Sequence, residues 1–148
     1  FRKQILDAVI CMFTSFGYLP SENEDVKSLS EVHRTLKKNG RFLLDLSNRD
    51  HMVKNFRERD WAEFEPFYLL ERRSLDMKNL RLTSQWILIQ KGTGEIKEIQ
   101  HEVRLYTLTR IKQLLTEAGL TIKELYGGYE KQEFNLESSR MIVLAQRI

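Results

Sequence analysis

The 148-residue sequence has a single cysteine, Cys11. A disulfide within the chain is therefore excluded, and a reducing, cytoplasmic setting is expected. Its seven glycines never form G-x-G-x-x-G or G-x-x-x-x-G-K-[ST], so neither kind of phosphate cradle lies on the chain. No apolar run approaches the ~20 residues of a membrane-spanning helix, so no membrane contact is expected. Residues 1–5 carry charge, but no long apolar region or small-residue cleavage site of a signal peptide follows. His33, His51 and His101 are scattered. Glu98 and His101 sit three apart on an expected strand, which points them to opposite faces, so no metal site is expected. Ser15 lacks the G-x-S-x-G elbow of a serine hydrolase.

Neither sign of charge dominates. Lys plus Arg is 24, Asp plus Glu is 21, and the net charge is +3. Both signs are spread along the chain. That pattern suits a solvated mixed surface and not a nucleic-acid footprint, which clusters its basic groups. Hydrophobic residues make up 41% of the chain, enough for one domain with a real core.

What is present is a recognisable order of elements. Residues 5–13, ILDAVICMF, are almost all apolar and rich in branched side chains, as expected of a strand buried on both faces. Ser21 and Glu24 have the spacing of a capping box at a helix start. Val26, Leu29, Val32 and Leu36 then share one helical face. Lys37, Lys38 and Asn39-Gly40 suit the helix end, with Gly40 as a left-handed cap. Residues 41–46, RFLLDL, form a second apolar strand. Strand, helix and strand make one βαβ unit over residues 1–60, which predicts parallel neighbours.

Residues 61–106 change character. Leu80, Leu82, Ser84, Trp86 and Leu88 alternate with Arg81, Thr83, Gln85, Ile87 and Ile89, the period of a strand. Turns at residues 77–79 and 91–94 bound it. Three successive strands in an antiparallel meander are expected. Trp61, Phe64, Phe67 and Trp86 are expected chiefly as core, with lining of a pocket as the alternative. Residues 107–148 return to α/β style. Thr107 or Thr109 caps a helix carrying Leu108, Ile111, Leu114, Leu115 and Ala118, and Gly119 ends it. Strands over residues 120–126 and 141–145 form a terminal hairpin.

Ligands of open α/β sheets bind beyond the carboxyl ends of parallel strands. Two such ends occur, at residues 13–18 and 47–50, joined by the first helix and so placed side by side. Small side chains there let a ligand approach the backbone, and the aromatic residues offer stacking. The alternative is structural: Thr14, Ser15 and Gly17 make a turn while Phe16 and Tyr18 pack on the helix. Cys11, inside an apolar strand, reads as an inert thiol. Asp45 and Asp50 are either acid–base groups or, more simply, turn contacts.

These segments together resemble the C-terminal part of a class I, Rossmann-like S-adenosylmethionine-dependent methyltransferase. The likeness is to small bacterial and archaeal enzymes whose fourth strand ends in T/N-S-F-G-Y. LDAVICMFTSFGYL is similar to strand four and its cofactor-side end. LSEVHRTLKKNGRFLLDL resembles the next helix, turn and strand five, with Lys38-Asn39-Gly40 where the family has Pro-Gly-Gly. Asn48-Arg49 is similar to the N-R after strand five. VRLYTLTRIKQLLTEAGL resembles the R-x-Y-T segment and the helix before strand six, and ESSRMIVLAQRI the final strand.

The resemblance implies the C-terminal half of a methyltransferase sheet, strands 4-5-7-6 of a 3-2-1-4-5-7-6 order, with the antiparallel meander as an insertion over the substrate pocket. It implies that Cys11, Met12 and Phe13 line the cofactor. Thr14, Ser15, Phe16, Tyr18, Asn48, Arg49, Arg104, Tyr106 and Arg140 would then frame the acceptor pocket. The implied reaction is direct displacement at the sulfonium methyl by an acceptor oxygen, nitrogen or carbon, driven by positioning and desolvation. Tyr18 and Asp50 are the candidate bases, and a small molecule is expected as acceptor ahead of nucleic acid. The family's acidic Gly-rich loop and ribose-binding carboxylate would precede Phe1. The isolated chain is therefore expected to be inactive, with strand 5–13 an apolar edge covered by a second copy or another chain. The alternative is a non-catalytic binding or oligomerisation module; a third reading is another doubly wound enzyme.

Overall fold

The computed structural model describes residues 3–148. Its elements run β1 (Leu6–Cys11), α1 (Glu22–Thr35), β2 (Leu36–Ser47), α2 (Arg49–Lys54), β3 (Arg59–Glu63), β4 (Phe67–Asp76), β5 (Arg81–Gln90), β6 (Ile96–Arg104), α3 (Leu108–Glu117), β7 (Leu120–Tyr126) and β8 (Arg140–Arg147). They divide into two compact units, Phe1–Lys54 with Tyr106–Ile148, and Asn55–Leu105.

The first unit is an open sheet in the order β1-β2-β8-β7. β1 and β2 are parallel, and β8 lies antiparallel to both β2 and β7. The strand alternation chooses the core face. Phe42, Leu44 and Leu46 of β2, with Met141, Val143 and Ala145 of β8, face one way. Leu29 of α1 and Ile111, Leu114 and Leu115 of α3 close over them, and the core residues among these are nearly inaccessible to water. Both helices start as their sequences imply. Ser21 accepts from the Glu24 N–H and Glu24 returns to the Ser21 backbone, a complete capping box. Thr107 is the residue that caps α3, accepting from the Arg110 N–H. Gly119 follows α3 at φ +79°, where a Cβ would lie 3.1 Å from the His33 ring.

The second unit is an antiparallel sheet in the order β3-β4-β5-β6. β4 alternates strictly between half-buried and exposed residues. On its more sheltered face Leu82, Ser84 and Val103 are buried, Trp86 donates Nε1–H to Glu71 at 2.9 Å, and His101 meets the Trp86 ring edge-on at 4.7 Å.

Four expectations need correction. The strand at residues 5–13 is shorter, Leu6–Cys11, and is not buried on both faces: it is the sheet's edge, with Ile10 70% exposed. Helix α1 stops at Thr35, before the lysines. Thr35 turns its hydroxyl back onto the carbonyls of Glu31 and Val32, and the fully buried Leu36 is already extended and paired with Leu6. The left-handed residue is then Asn39, at φ 63°, and not Gly40. The antiparallel unit has four strands, not three: mutual backbone hydrogen bonds of 2.7 Å between Phe64 and Phe67 close an extra β3–β4 hairpin. Finally, Trp61 and Phe64 are 64% and 56% exposed and are not core.

Candidate functional site

The parallel pairing of β1 with β2 brings the segment after Cys11 beside the segment after Asp45. Chain reversal there is abrupt. Phe13 and Thr14 both have positive φ, 56° and 61°, a conformation uncommon for residues with a Cβ. Two successive residues of this kind persist only where neighbours hold them, and here β2 does so. The Asp45 carbonyl accepts from the Thr14 N–H at 3.0 Å, and an Asp45 carboxylate oxygen accepts from the Phe13 N–H at 2.8 Å. The Thr14 hydroxyl lies 3.0 Å from that of Ser47 and accepts from the Ser47 N–H at 2.9 Å.

Asp45 is fully buried, and a buried carboxylate must be paired. Antiparallel register places Arg140 opposite Ser47, one step diagonal to Asp45. Its guanidinium reaches Asp45 Oδ1 with Nε at 2.8 Å and Nη2 at 2.6 Å, and Ser47 Oγ with Nη1 at 3.3 Å. Tyr129, from the loop after β7, donates its hydroxyl to Asp45 Oδ2 at 2.8 Å. Lost hydration and the adjacent carboxylate raise the Tyr129 pKa, so the phenol stays protonated. Partial burial, then the charge of Asp45, push the Cys11 thiol up, which keeps it protonated and unreactive.

Asn48 follows directly and is buried. Its amide donates to the carbonyls of Asn135 and Ser138 at 3.1 and 2.8 Å, and its oxygen accepts from the Asp50 N–H at 3.1 Å. Arg49 pairs with Asp50 at 2.6 Å. On the helix-covered face Phe16 is buried against Tyr106, ring centroids 5.3 Å apart. The Tyr106 hydroxyl donates to Asp25 at 2.6 Å. A concavity of about 270 Å³ lies here, lined by Val9, Cys11, Ser15, Phe16, Leu29 and Val32 among others. Ser15 donates to the Met12 carbonyl at 2.6 Å. Phe13 and Tyr18 are 75% and 45% exposed.

Of the residues singled out in the sequence, the structure gathers Phe13, Thr14 and Arg140 around Asp45. It sets Asn48, Arg49 and Asp50 next to them, and joins Phe16 with Tyr106. Arg104 ends β6 in the Asn55–Leu105 unit. Ser47 opens the stretch 47–50 that the sequence marks as a strand end, and Tyr129 is an addition. Tyr129, 84 residues from Asp45, carries no local signal. The carboxylates of Asp25, Asp45 and Asp50 each have a hydroxyl or cationic partner. Among the described residues no group of three or more His, Cys, Asp or Glu could hold a metal ion.

Solved structures share this arrangement. The CcbJ methyltransferase of Streptomyces caelestis superposes with a TM-score of 0.85 at 17% identity, over 97% of this chain and 58% of its own. An S-adenosylmethionine-dependent methyltransferase from Clostridium acetobutylicum gives 0.84 at 16% identity, over 99% and 59%. This is the fold of the C-terminal part of a class I S-adenosylmethionine-dependent methyltransferase. CalS10, an amino pentose methyltransferase of Micromonospora echinaspora with S-adenosylmethionine bound, gives 0.68 at 16% identity, over 98% and 59%. The chain thus spans less than two thirds of the length of the methyltransferases it matches, and at these identities the likeness is one of fold. No protein-family profile and no curated sequence matches it. The order β1-β2-β8-β7 agrees with the strand order 4-5-7-6 that the resemblance implies, with β3–β6 as the insertion.

Proposed function

We propose that this chain is the C-terminal half of a methyltransferase that passes a methyl group from S-adenosylmethionine to a small-molecule acceptor, and that it is inactive alone. The observation that carries this reading is the strand order β1-β2-β8-β7 with its reversed last hairpin, which matches such enzymes over nearly the whole chain.

The residues present do not by themselves fit the cofactor. Its ribose diol and ammonium group call for hydrogen-bond acceptors of high charge density, yet Asp45 and Asp50 around the end of β2 and Asp25 in the first turn of α1 already serve Arg140, Arg49 and Tyr106. The Gly-rich loop is also missing from the sequence. What the chain contributes is a rigid ledge. Asp45 and Arg140 lock the Phe13–Thr14 reversal, and Phe13 stands exposed at its tip. Cys11, Met12 and Phe13 are assigned to the wall that faces a cofactor held from elsewhere, and Thr14, Tyr18, Arg49 and Arg140 to the acceptor side. No described helix is long and apolar enough to cross a membrane; the cytoplasmic setting rests on the single cysteine.

Calorimetric titration of the isolated chain with S-adenosylmethionine and S-adenosylhomocysteine tests this. No saturable micromolar binding is expected. Fusion to a segment bearing a strand and an acidic Gly-rich loop is expected to restore binding. Tight binding by the isolated chain overturns the half-site reading, and a fused chain that binds neither compound overturns methyl transfer.

A further inference from the structure

The antiparallel unit carries a second, chemically distinct surface. Along one face of β3, β4 and β5, Trp61 stands opposite Leu70, and Leu70 opposite Ile87. The next residues on the same face, one pleat away, are Arg59 and Arg72, which also stand directly opposite one another. Like charges at facing ladder positions repel, so this pair destabilises the hairpin unless an anion sits between them. Trp61 is 64% and Leu70 41% exposed, an unusual amount of apolar surface for neighbours in a sheet. These residues line a concavity of about 540 Å³, with Arg57 added at its edge.

The acidic residues of the same concavity do not neutralise it. Asp60 and Glu71 alternate with the arginines and turn to the opposite face. There Glu71 bonds Trp86 and Arg73, and Asp60 lies 3.9 Å from Arg73. Arg59 has only a loose, exposed contact with Glu58 at 3.9 Å. Arg57 and Arg72 have no ion-pair partner among the described residues.

We infer that this face binds a phosphate monoester carried on a planar ring: the ring stacks on Trp61 over Leu70 and Ile87, and the phosphate is clamped by Arg59 and Arg72 with Arg57. Same-face neighbours along a strand are about 7 Å apart, and the long side chains of Arg59 and Arg72 span the remaining gap to a phosphate attached to a ring stacked on Trp61. Guanidinium forks match phosphate oxygens in geometry as well as charge, and several converging on one point favour a dianion over a carboxylate. The indole face supplies stacking that a bare anion does not use.

Tryptophan fluorescence titration of the chain with phenyl phosphate tests the inference, because Trp61 is the exposed indole while Trp86 is half-buried and bonded to Glu71. Saturable quenching is expected, with phenyl phosphate binding at least about tenfold tighter than phenol or inorganic phosphate alone. Arg72→Gln is expected to weaken binding about tenfold while leaving the near-ultraviolet dichroism of Trp86 unchanged. Trp61→Ala, followed by calorimetry, is expected to weaken it comparably. Raised ionic strength should weaken phenyl phosphate binding but not the folded signal. The inference fails if no saturable change occurs, if inorganic phosphate binds as tightly as the aryl phosphate, or if both variants bind like the parent. Binding of single-stranded RNA without binding of phenyl phosphate also overturns it.

Discussion

At the scale of single residues, Asp45 does the most. Its fully buried carboxylate receives hydrogen bonds from Phe13, Tyr129 and Arg140, tying three separate chain segments to the apex of β2. Removing its charge leaves the Arg140 guanidinium without a counterion. Asp45→Asn is expected to destabilise the unit by about 3 kcal/mol, the low end for a broken buried pair because the Arg140 side chain is 21% exposed. Urea unfolding checks this, and a loss below about 1 kcal/mol would mean that the network is not coupled. Cys11 supplies a second residue-scale prediction. Its pKa is raised by burial and by Asp45, so alkylation by iodoacetamide should lag behind that of a free thiol at neutral pH. The apparent pKa of the reaction should lie above the ordinary value of about 8.5. A folded-state pKa above the unfolded one means that this stabilising contribution is complete below the unfolded value and declines as pH rises through the folded one. Cys11→Ala should therefore lose less stability between neutral and alkaline pH than the parent.

At the scale of elements, local chemistry decides starts better than stops. The capping box of Ser21 and Glu24 satisfies backbone groups that only neighbouring residues can reach, and α1 begins where the pattern places it. Ser21→Ala is expected to cost about 1 kcal/mol, measured as a lower urea midpoint with little change in helical dichroism. A cost near zero would show that Glu24 alone suffices. The end of α1 was set elsewhere. Leu36 leaves the helix because its side chain is needed in the core and its backbone pairs with Leu6, a demand invisible in Lys37, Lys38 and Asn39. The β3–β4 hairpin was equally hidden. Residues 59–63 are a short outer strand with two exposed charged residues, Arg59 and Glu63, and their strand character comes from pairing with β4 and not from a buried face of their own.

At the scale of the whole molecule, the open edge matters most. No described strand pairs with the outer side of β1, and Ile10 and Phe13 there are 70% and 75% exposed. Unpaired apolar edges template association. The isolated chain is expected to self-associate, or to recruit another chain, through β1. Ile10→Lys should shift it toward monomer in sedimentation velocity and light scattering while leaving the helix-covered core intact, since Ile10 is absent from that core. A parent chain that is already monomeric at high concentration would contradict this. Coverage of β1 and the cofactor test bear on the same question, because a segment that pairs with β1 is also placed to hold a ligand at its carboxyl end.

Much of the fold was legible because its determinants are short-range. Period-two and period-3.6 apolar patterns, a capping box and Gly119 depend on residues within a few positions of one another. They suffice for the βαβ unit, the last helix and the terminal hairpin. Their order along the chain carries the resemblance that the solved structures bear out as fold. The composition of the site was legible only in part. Phe13, Thr14, Asn48 and Arg140 stand at strand ends, where position along the chain already marks them. What tertiary structure alone decided is which of them touch. Asp45 is held by Arg140, 95 residues away, and by Tyr129 from a loop. Burial forces those contacts, since a carboxylate removed from water must find its partners wherever the sheet register brings them. The same holds for Trp61 and the facing Arg59 and Arg72. Neither the exposure of the indole nor the pairing of like charges exists until the hairpin register sets them side by side.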